Sequence, residues 1–304
     1  MTDVPRAEAV ETLPTAGAPR GDALRSLFRS PQGIVGLASI VLVLAFACIV
    51  PIFASDPYYQ DLTQRLAPPV WAGGSWAHPF GTDALGRDLL ARLADGIRVS
   101  LVIVVATVLI STFIGTALGL VAGFWGGLFD SIVMRLVDVQ LAFPQILLVL
   151  LVVGTIGPGV GTLIATLSIT TWVLYARVVR SQTLAIKNQE YIEAARSIGS
   201  TRIRTAVMHV LPNVSGQLIV LASFAAANVV LFEAALSFLG LGVPSPQPSL
   251  GGIIADGQVH LTSDPWLSVL PGIAIFLLVI GANLLGDWLR EVLDPRGTLR
   301  QGKV

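Results

Sequence analysis

Asn188–Asn213 reads NQEYIEAARSIGSTRIRTAVMHVLPN. It is polar and basic in a chain that is otherwise lipid-like, and that contrast decides the fold. Tyr191, Ala194, Ala195 and Ile198 share one helical face, with Glu190, Glu193 and Ser197 on the other side. Gly199 takes positive φ without steric penalty and suits a sharp reversal. Ser200 is placed to cap a second helix, whose apolar stripe is Ile203, Val207, Val210 and Leu211. Pro212 is expected to stop that helix before the next apolar run. The stretch reads as a helical hairpin at a membrane surface. Small alanines beside the turn let another surface come close, and Glu193, Arg202 and Arg204 offer it charges. An amphipathic loop resting on anionic lipid is the other reading of the same residues.

The rest of the chain supplies the membrane. Of 304 residues, 54% are hydrophobic and 12% charged, and the mean hydropathy is +0.76. Soluble domains carry about a quarter charged residues, so this chain cannot clothe a water-facing surface, and membrane lipid is its solvent. Six stretches approach or exceed the ~20 residues that cross ~30 Å of hydrocarbon. They are 33–53, 99–123, 132–156, 160–179, 214–240 and 267–289. The expected fold is all-α integral membrane with six transmembrane helices.

Around these spans the chain divides into a flexible tail (1–32), a first span (33–53) and an extracytoplasmic loop (54–98). A core of five spans (99–290) follows, carrying 188–213 as an insert, and a short tail (291–304) ends the chain. Fifteen of the nineteen Lys and Arg residues fall on one side of this topology. The positive-inside rule makes that side cytoplasmic, with both termini and the hairpin, in a multi-pass protein of the cell membrane.

Several residues invite closer reading. Gly115, Gly119, Gly123 and Gly127 recur every four residues and form a helix-packing face. Pro144 predicts a kink in the third span. Asp138 and Arg135, one turn apart, are expected to pair. Glu233, with Ser237 four residues on, is the candidate for the translocation path or its gate, since intramembrane charges are costly unless they serve a path or a partner. Thr82 or Asp83 is expected to cap a short helix at about 84–96, with Arg87, Asp88, Arg92 and Asp95 forming a solvated, paired face. The single cysteine, Cys48, excludes an internal disulfide and Cys-rich zinc patterns, and is expected to be buried in the first span. His78, His209 and His260 are too scattered for one metal site, so no metal is expected. No nucleophile–base pattern exists, so no catalytic residue is assigned. A zero formal net charge argues against a nucleic-acid partner.

Glu193-Ala194-Ala195, three residues, Gly199, eleven residues and Leu211-Pro212 resemble the EAA loop of ABC importer permeases. The resemblance extends over most of 81–296. It includes Gly81-Thr82-Asp83 with Gly86-Arg87-Asp88, Ala142-Phe143-Pro144, Glu233–Gly242 and Leu293-Asp294-Pro295-Arg296. The set is similar to the DppC/OppC-type permease subunit of the dipeptide/oligopeptide/nickel importer family.

That resemblance implies a type I ABC importer permease core with a cytoplasmic coupling-helix hairpin. It also implies a homologous second permease subunit, two cytoplasmic ABC ATPase subunits and an extracytoplasmic substrate-binding protein. Glu193, Ala194, Ala195, Gly199, Leu211 and Pro212 would be the ATPase-coupling positions. The cargo it implies is di- or oligopeptides, with nickel chelates or another small solute as the alternative. ATP and Mg would sit on the partner ATPases and no cofactor in this subunit, because the chain has no G-x-x-x-x-G-K-[ST] phosphate loop and is not itself an enzyme. An energy-independent channel or secondary transporter is the rival class, and it needs no docking hairpin.

Overall fold

The computed structural model describes residues 26–293. Most of the expected N-terminal tail and nearly all of the C-terminal one lie outside the described residues. Helix α1 (Pro31–Phe53) begins where the Ser30 hydroxyl accepts the Gly33 N–H at 2.9 Å and Pro31 fills the first position, whose N–H no helix bond needs. Helix α2 spans Leu89–Trp125 and α3 Gly127–Leu141. Helices α4 (Gln145–Ile156) and α5 (Val160–Ile186) follow. The hairpin contains α6 (Glu190–Ser197) and α7 (Arg202–Thr205). A π-helical turn (Ala206–Val210) carries α7 straight into α8 (Leu211–Phe238). A short α9 (Leu250–Gly257) precedes α10 (Trp266–Leu293). Among the described residues, five helices are long and apolar enough to cross a membrane, or six if the bent pair α3–α4 is counted as one span.

Four sequence expectations are corrected by these elements. The second span starts at Leu89, ten residues before the apolar run. Neither Thr82 nor Asp83 caps it. Asp88 does, its Oδ1 accepting the Leu90 N–H at 2.8 Å, and no breaker follows before Trp125. Pro144 makes a break and not a kink. It offers no N–H, and it pushes Phe143 out of the helical region, so α3 and α4 meet at 89°. Pro212 does not stop the hairpin's second helix. The π turn before it widens the backbone where the proline ring would collide, and the Asn213 amide donates to the His209 carbonyl at 2.6 Å. Cys48 is exposed. The packed stripe of α1 is Gly36, Ser39, Val43 and Ala47, and Cys48 lies beside it.

Small residues set the closest helix contacts. A Cβ on Gly115 would stand 2.5 Å from the Trp172 carbonyl oxygen, and one on Gly119 2.5 Å from that of Ala176. Gly123 is equally crowded by Thr183. So α2 lies on α5 backbone to backbone, the approach that dispersion between membrane helices rewards. Gly127 is not part of this face. It opens α3 with φ +67° and has open space around it, because the chain turns at Gly126. Gly36 of α1 and Gly281 of α10 make a second close crossing. Charges tie the α3–α5 end together. Arg180 donates to Asp130 at 2.7 Å, and Lys187 to the Gly123 carbonyl at 2.8 Å. Asp138 pairs with Arg177 at 3.0 Å and not with Arg135, because α5 brings the longer reach across.

Candidate functional site: the hairpin and the two cavities

At one end of the bundle, α6 and α7 fold back on each other at Gly199. Its φ of +91° is the left-handed conformation that the sequence requires there. The Gly199 N–H donates to the Arg196 carbonyl at 2.9 Å, and the Ser200 N–H to that of Ala195 at 3.1 Å. Thr201 is the cap of α7, its hydroxyl accepting the Arg204 N–H at 3.3 Å, where Ser200 had been expected. Ser200 instead accepts a hydrogen bond from Thr205 at 3.1 Å.

The face that α6 buries is Ile192 and Ala195, and Ile192 packs in one cluster with Phe124, Val210 and Val214. Arg196 lies over the Phe124 ring at 5.1 Å. Asn213 donates to the Tyr191 hydroxyl at 3.3 Å, and partial burial pushes that phenol above its ordinary pKa. What is left outside is the opposite of a solvated helix face. Ile198 is 87% exposed, Met208 61%, and Ile203 and Val207 are exposed beside them. Glu193 and Ala194 are exposed too, Leu211 is half-buried, and Pro212 is exposed at the root of α8. The apolar stripe expected of the second helix is divided, with Val210 buried and Ile203 and Val207 exposed. The fold turns them outward because α7 is the foot of a span and only Thr205, Ala206 and Val210 meet the bundle.

At the other end, Glu233 is fully buried (0%) between α2 and α8. Ser100 donates to one of its carboxylate oxygens at 2.8 Å and Ser237 to the other at 2.9 Å. The Val243 N–H reaches the Ser237 hydroxyl at 3.4 Å. Glu233 therefore clamps two helices, and Ser237 extends the clamp to the loop after α8. Ser100 was not marked as functional from sequence. Its signal in the sequence is the run Arg98-Val99-Ser100-Leu101, which also resembles the DppC/OppC-type subunits.

Beyond this clamp lies a cavity of about 440 Å³, lined by Ser237, Asp83, Arg87, Arg92 and Asp256 among others. Arg87 pairs with Asp83 at 2.6 Å, and both Arg87 and Arg92 reach Asp256 at about 3.4–3.5 Å. The expected solvated face is corrected here. Arg92 is only 4% exposed, and Asp83, Arg87 and Asp88 are as deeply buried, because α9 and the loop 54–88 fold over them. Asp88 holds His78 at 3.1 Å, and Asp95 accepts from Tyr58 at 2.9 Å.

A second cavity, of about 340 Å³, sits beside the α3–α4 break, between α5 and α8.

A family model described as binding-protein-dependent transport system inner membrane component matches residues 115–298, and the N-terminal TM domain of oligopeptide transport permease C matches 19–69. A dipeptide transport system permease protein of Alkalihalophilus pseudofirmus is 35% identical over 297 residues, covering 97% of this chain and 96% of its own. An oligopeptide transport system permease protein of Haemophilus influenzae is 37% identical, covering 90% of this chain and 88% of its own. The protein of the same name from Bacillus subtilis is 38% identical, covering 90% and 89%. With an all-helical bundle and five or six candidate spans among its described residues, the chain belongs to the family of binding-protein-dependent transport system inner membrane components.

Proposed function

We propose that this chain forms half of the translocation path of an ATP-driven peptide importer. It is coupled through 188–213 to partner ATPases that carry the ATP and Mg. The observation that carries the proposal is the hairpin. A hydrogen-bonded turn at Gly199 leaves Ile198, Ile203, Val207 and Met208 exposed, flanked by Glu193, Arg202 and Arg204. Exposed apolar side chains rimmed by charge are the makings of a docking knob. The π turn joins that knob to α8 without a flexible linker, so a push on it is transmitted to a transmembrane helix. Peptide as the cargo rests on the names of the relatives.

In this reading Glu193, Ala194, Ala195 and Gly199 seat on the ATPase, and Leu211 and Pro212 set the angle at which α8 leaves. Both termini and the hairpin are cytoplasmic. A second permease completes the path, and a binding protein delivers cargo to the outer end. Glu233 and Ser237 hold the outer gate, since their clamp anchors the loop at 240–249 to α2 and α8.

The test is reconstitution. The chain is co-expressed with a second permease, ATPases and a binding protein, and ATP-dependent uptake of labelled di- and tripeptides into proteoliposomes is measured. Uptake that needs both ATP and binding protein supports the reading. Uptake of a nickel chelate but no peptide overturns the cargo. Retention of no ATPase by the purified chain overturns the coupling.

A further inference from the structure

The cavity beside the α3–α4 break lies at the middle of the bundle. It is bordered by Thr170 and Thr171, midway along α5, and by Asn228, in the middle third of α8. Broken backbone at such depth is tolerated only where protein covers it or water reaches it. Its lining carries no charged side chain and a concentration of neutral polar ones: Gln140, Gln145, Thr170, Thr171 and Asn228.

These groups are not all committed to one another. The Gln140 amide is fixed as a wall. It donates to the carbonyls of Ile169 and Thr170 at 2.9 and 3.0 Å and accepts from Trp172 at 3.2 Å. Gln145 donates to the Thr170 hydroxyl at 3.2 Å, which leaves its carbonyl oxygen facing no donor. The Thr171 hydroxyl is only 9% exposed as a residue and has no hydrogen-bond partner. Burying such a group unpaired is costly, so a partner that supplies the missing bond is favoured. Asn228 turns its amide nitrogen back to the Phe224 carbonyl at 3.0 Å, keeping its oxygen for something else. Helix α4 starts with no side-chain cap. Leu147 donates its N–H to the Pro144 carbonyl at 3.0 Å, which leaves the N–H groups of Gln145 and Ile146 without partners.

We propose that this cavity is a contact site for passing cargo, one that reads the amide backbone of a peptide and ignores its side chains. Peptide bonds present donors and acceptors in alternation. The cavity offers acceptors in Gln145 and Asn228, donors in the start of α4, and the Thr171 hydroxyl as either. Neutral hydrogen bonds without a fixed charge suit cargo of variable sequence. Its open side, at Phe143 and Asn228, is where a second permease subunit would complete the wall. The proposal rests on the peptide-importer reading given above.

The test uses the complete reconstituted transporter with Cys48→Ser, so that added thiols are unique. Cysteine-free complex must first take up peptide with ATP, and failure there overturns the importer reading without touching the cavity. Asn228→Cys is then labelled with a water-soluble cationic methanethiosulfonate. Labelling is expected to abolish uptake, and to slow at least fivefold when saturating tripeptide and binding protein are held on the transporter with vanadate. No labelling in any nucleotide state, or a rate indifferent to peptide, overturns the proposal, because the face is then packed against another protein. Independently, Thr171→Val is expected to cut uptake about tenfold while binding-protein-stimulated ATP hydrolysis persists and Thr171→Ser restores uptake. An equal fall in uptake and ATP hydrolysis would mark Thr171 as purely structural.

Discussion

Two residues show how differently a buried group and a missing one hold this bundle. Glu233 is a carboxylate inside a membrane domain whose partners are two hydroxyls and no cation. Replacing it by leucine leaves Ser100 and Ser237 unpaired, at about 1–3 kcal/mol each. Glu233→Gln keeps one acceptor and one donor in the same place. Thermal unfolding of detergent-purified protein should therefore drop for Glu233→Leu and change little for Glu233→Gln. Uptake by Glu233→Gln separates the roles, and full uptake removes Glu233 from the gate. Gly119 acts through absence. A methyl there meets the Ala176 carbonyl at 2.5 Å, so α2 and α5 must separate. Gly119→Ala is expected to destabilise by about 1–3 kcal/mol. Gly154→Ala, in a helix with open space around it, should be neutral or slightly stabilising. The reverse order in melting temperature would refute the packing face. The glycine interval was readable in the sequence because period alone places three of them on one face. That Gly127 falls away was not, since only the turn at Gly126 decides where the helix ends.

The elements most legible in the sequence are those whose ends carry local chemistry. Gly199 reverses the hairpin by a side-chain rule that needs no tertiary context; Ser30-Pro31 obeys one too, although the apolar run alone put the start of α1 at 33. The path of α7 into α8 depends on whether Pro212 ends a helix or is absorbed, which a π turn settled. The burial of Asp83, Arg87 and Arg92 depends on segments far away in sequence, α9 and the loop 54–88, so no local pattern announces it. The outward turn of Ile203 and Val207 has the same origin. For the hairpin the consequence is testable. Proline cannot adopt φ +91° and has no N–H to give the Arg196 carbonyl. Gly199→Pro should open the turn, abolish coupled uptake and release the ATPase during purification, while the permease still inserts and melts near the wild-type temperature. Unchanged transport would mean that the hairpin's geometry carries no force.

At the scale of the whole molecule, the two ends of the bundle differ in kind, and that difference has a direction. One end presents a compact knob of exposed apolar residues on a rigid foot. The other has buried ion pairs and the exposed indole of Trp76. The proposed function, with the charge bias of the sequence, puts the knob in the cytoplasm beside an ATP-consuming partner. The assignment predicts accessibility. In a Cys48→Ser background, Trp76→Cys should react with a membrane-impermeant maleimide in spheroplasts. Ile198→Cys should react only in inverted vesicles. Both residues are exposed, so either can be labelled if the reagent reaches its side. Co-expression of the partner ATPases adds a second reading to the same experiment. Docking on the knob should cover Ile198 and slow its labelling at least tenfold, leaving Trp76→Cys unaffected. Reversed sidedness would invert the topology and place the cavity lined by Arg87 and Arg92 in the cytoplasm. Correct sidedness without protection would leave the fold standing and remove the hairpin as the point where ATP-driven motion enters.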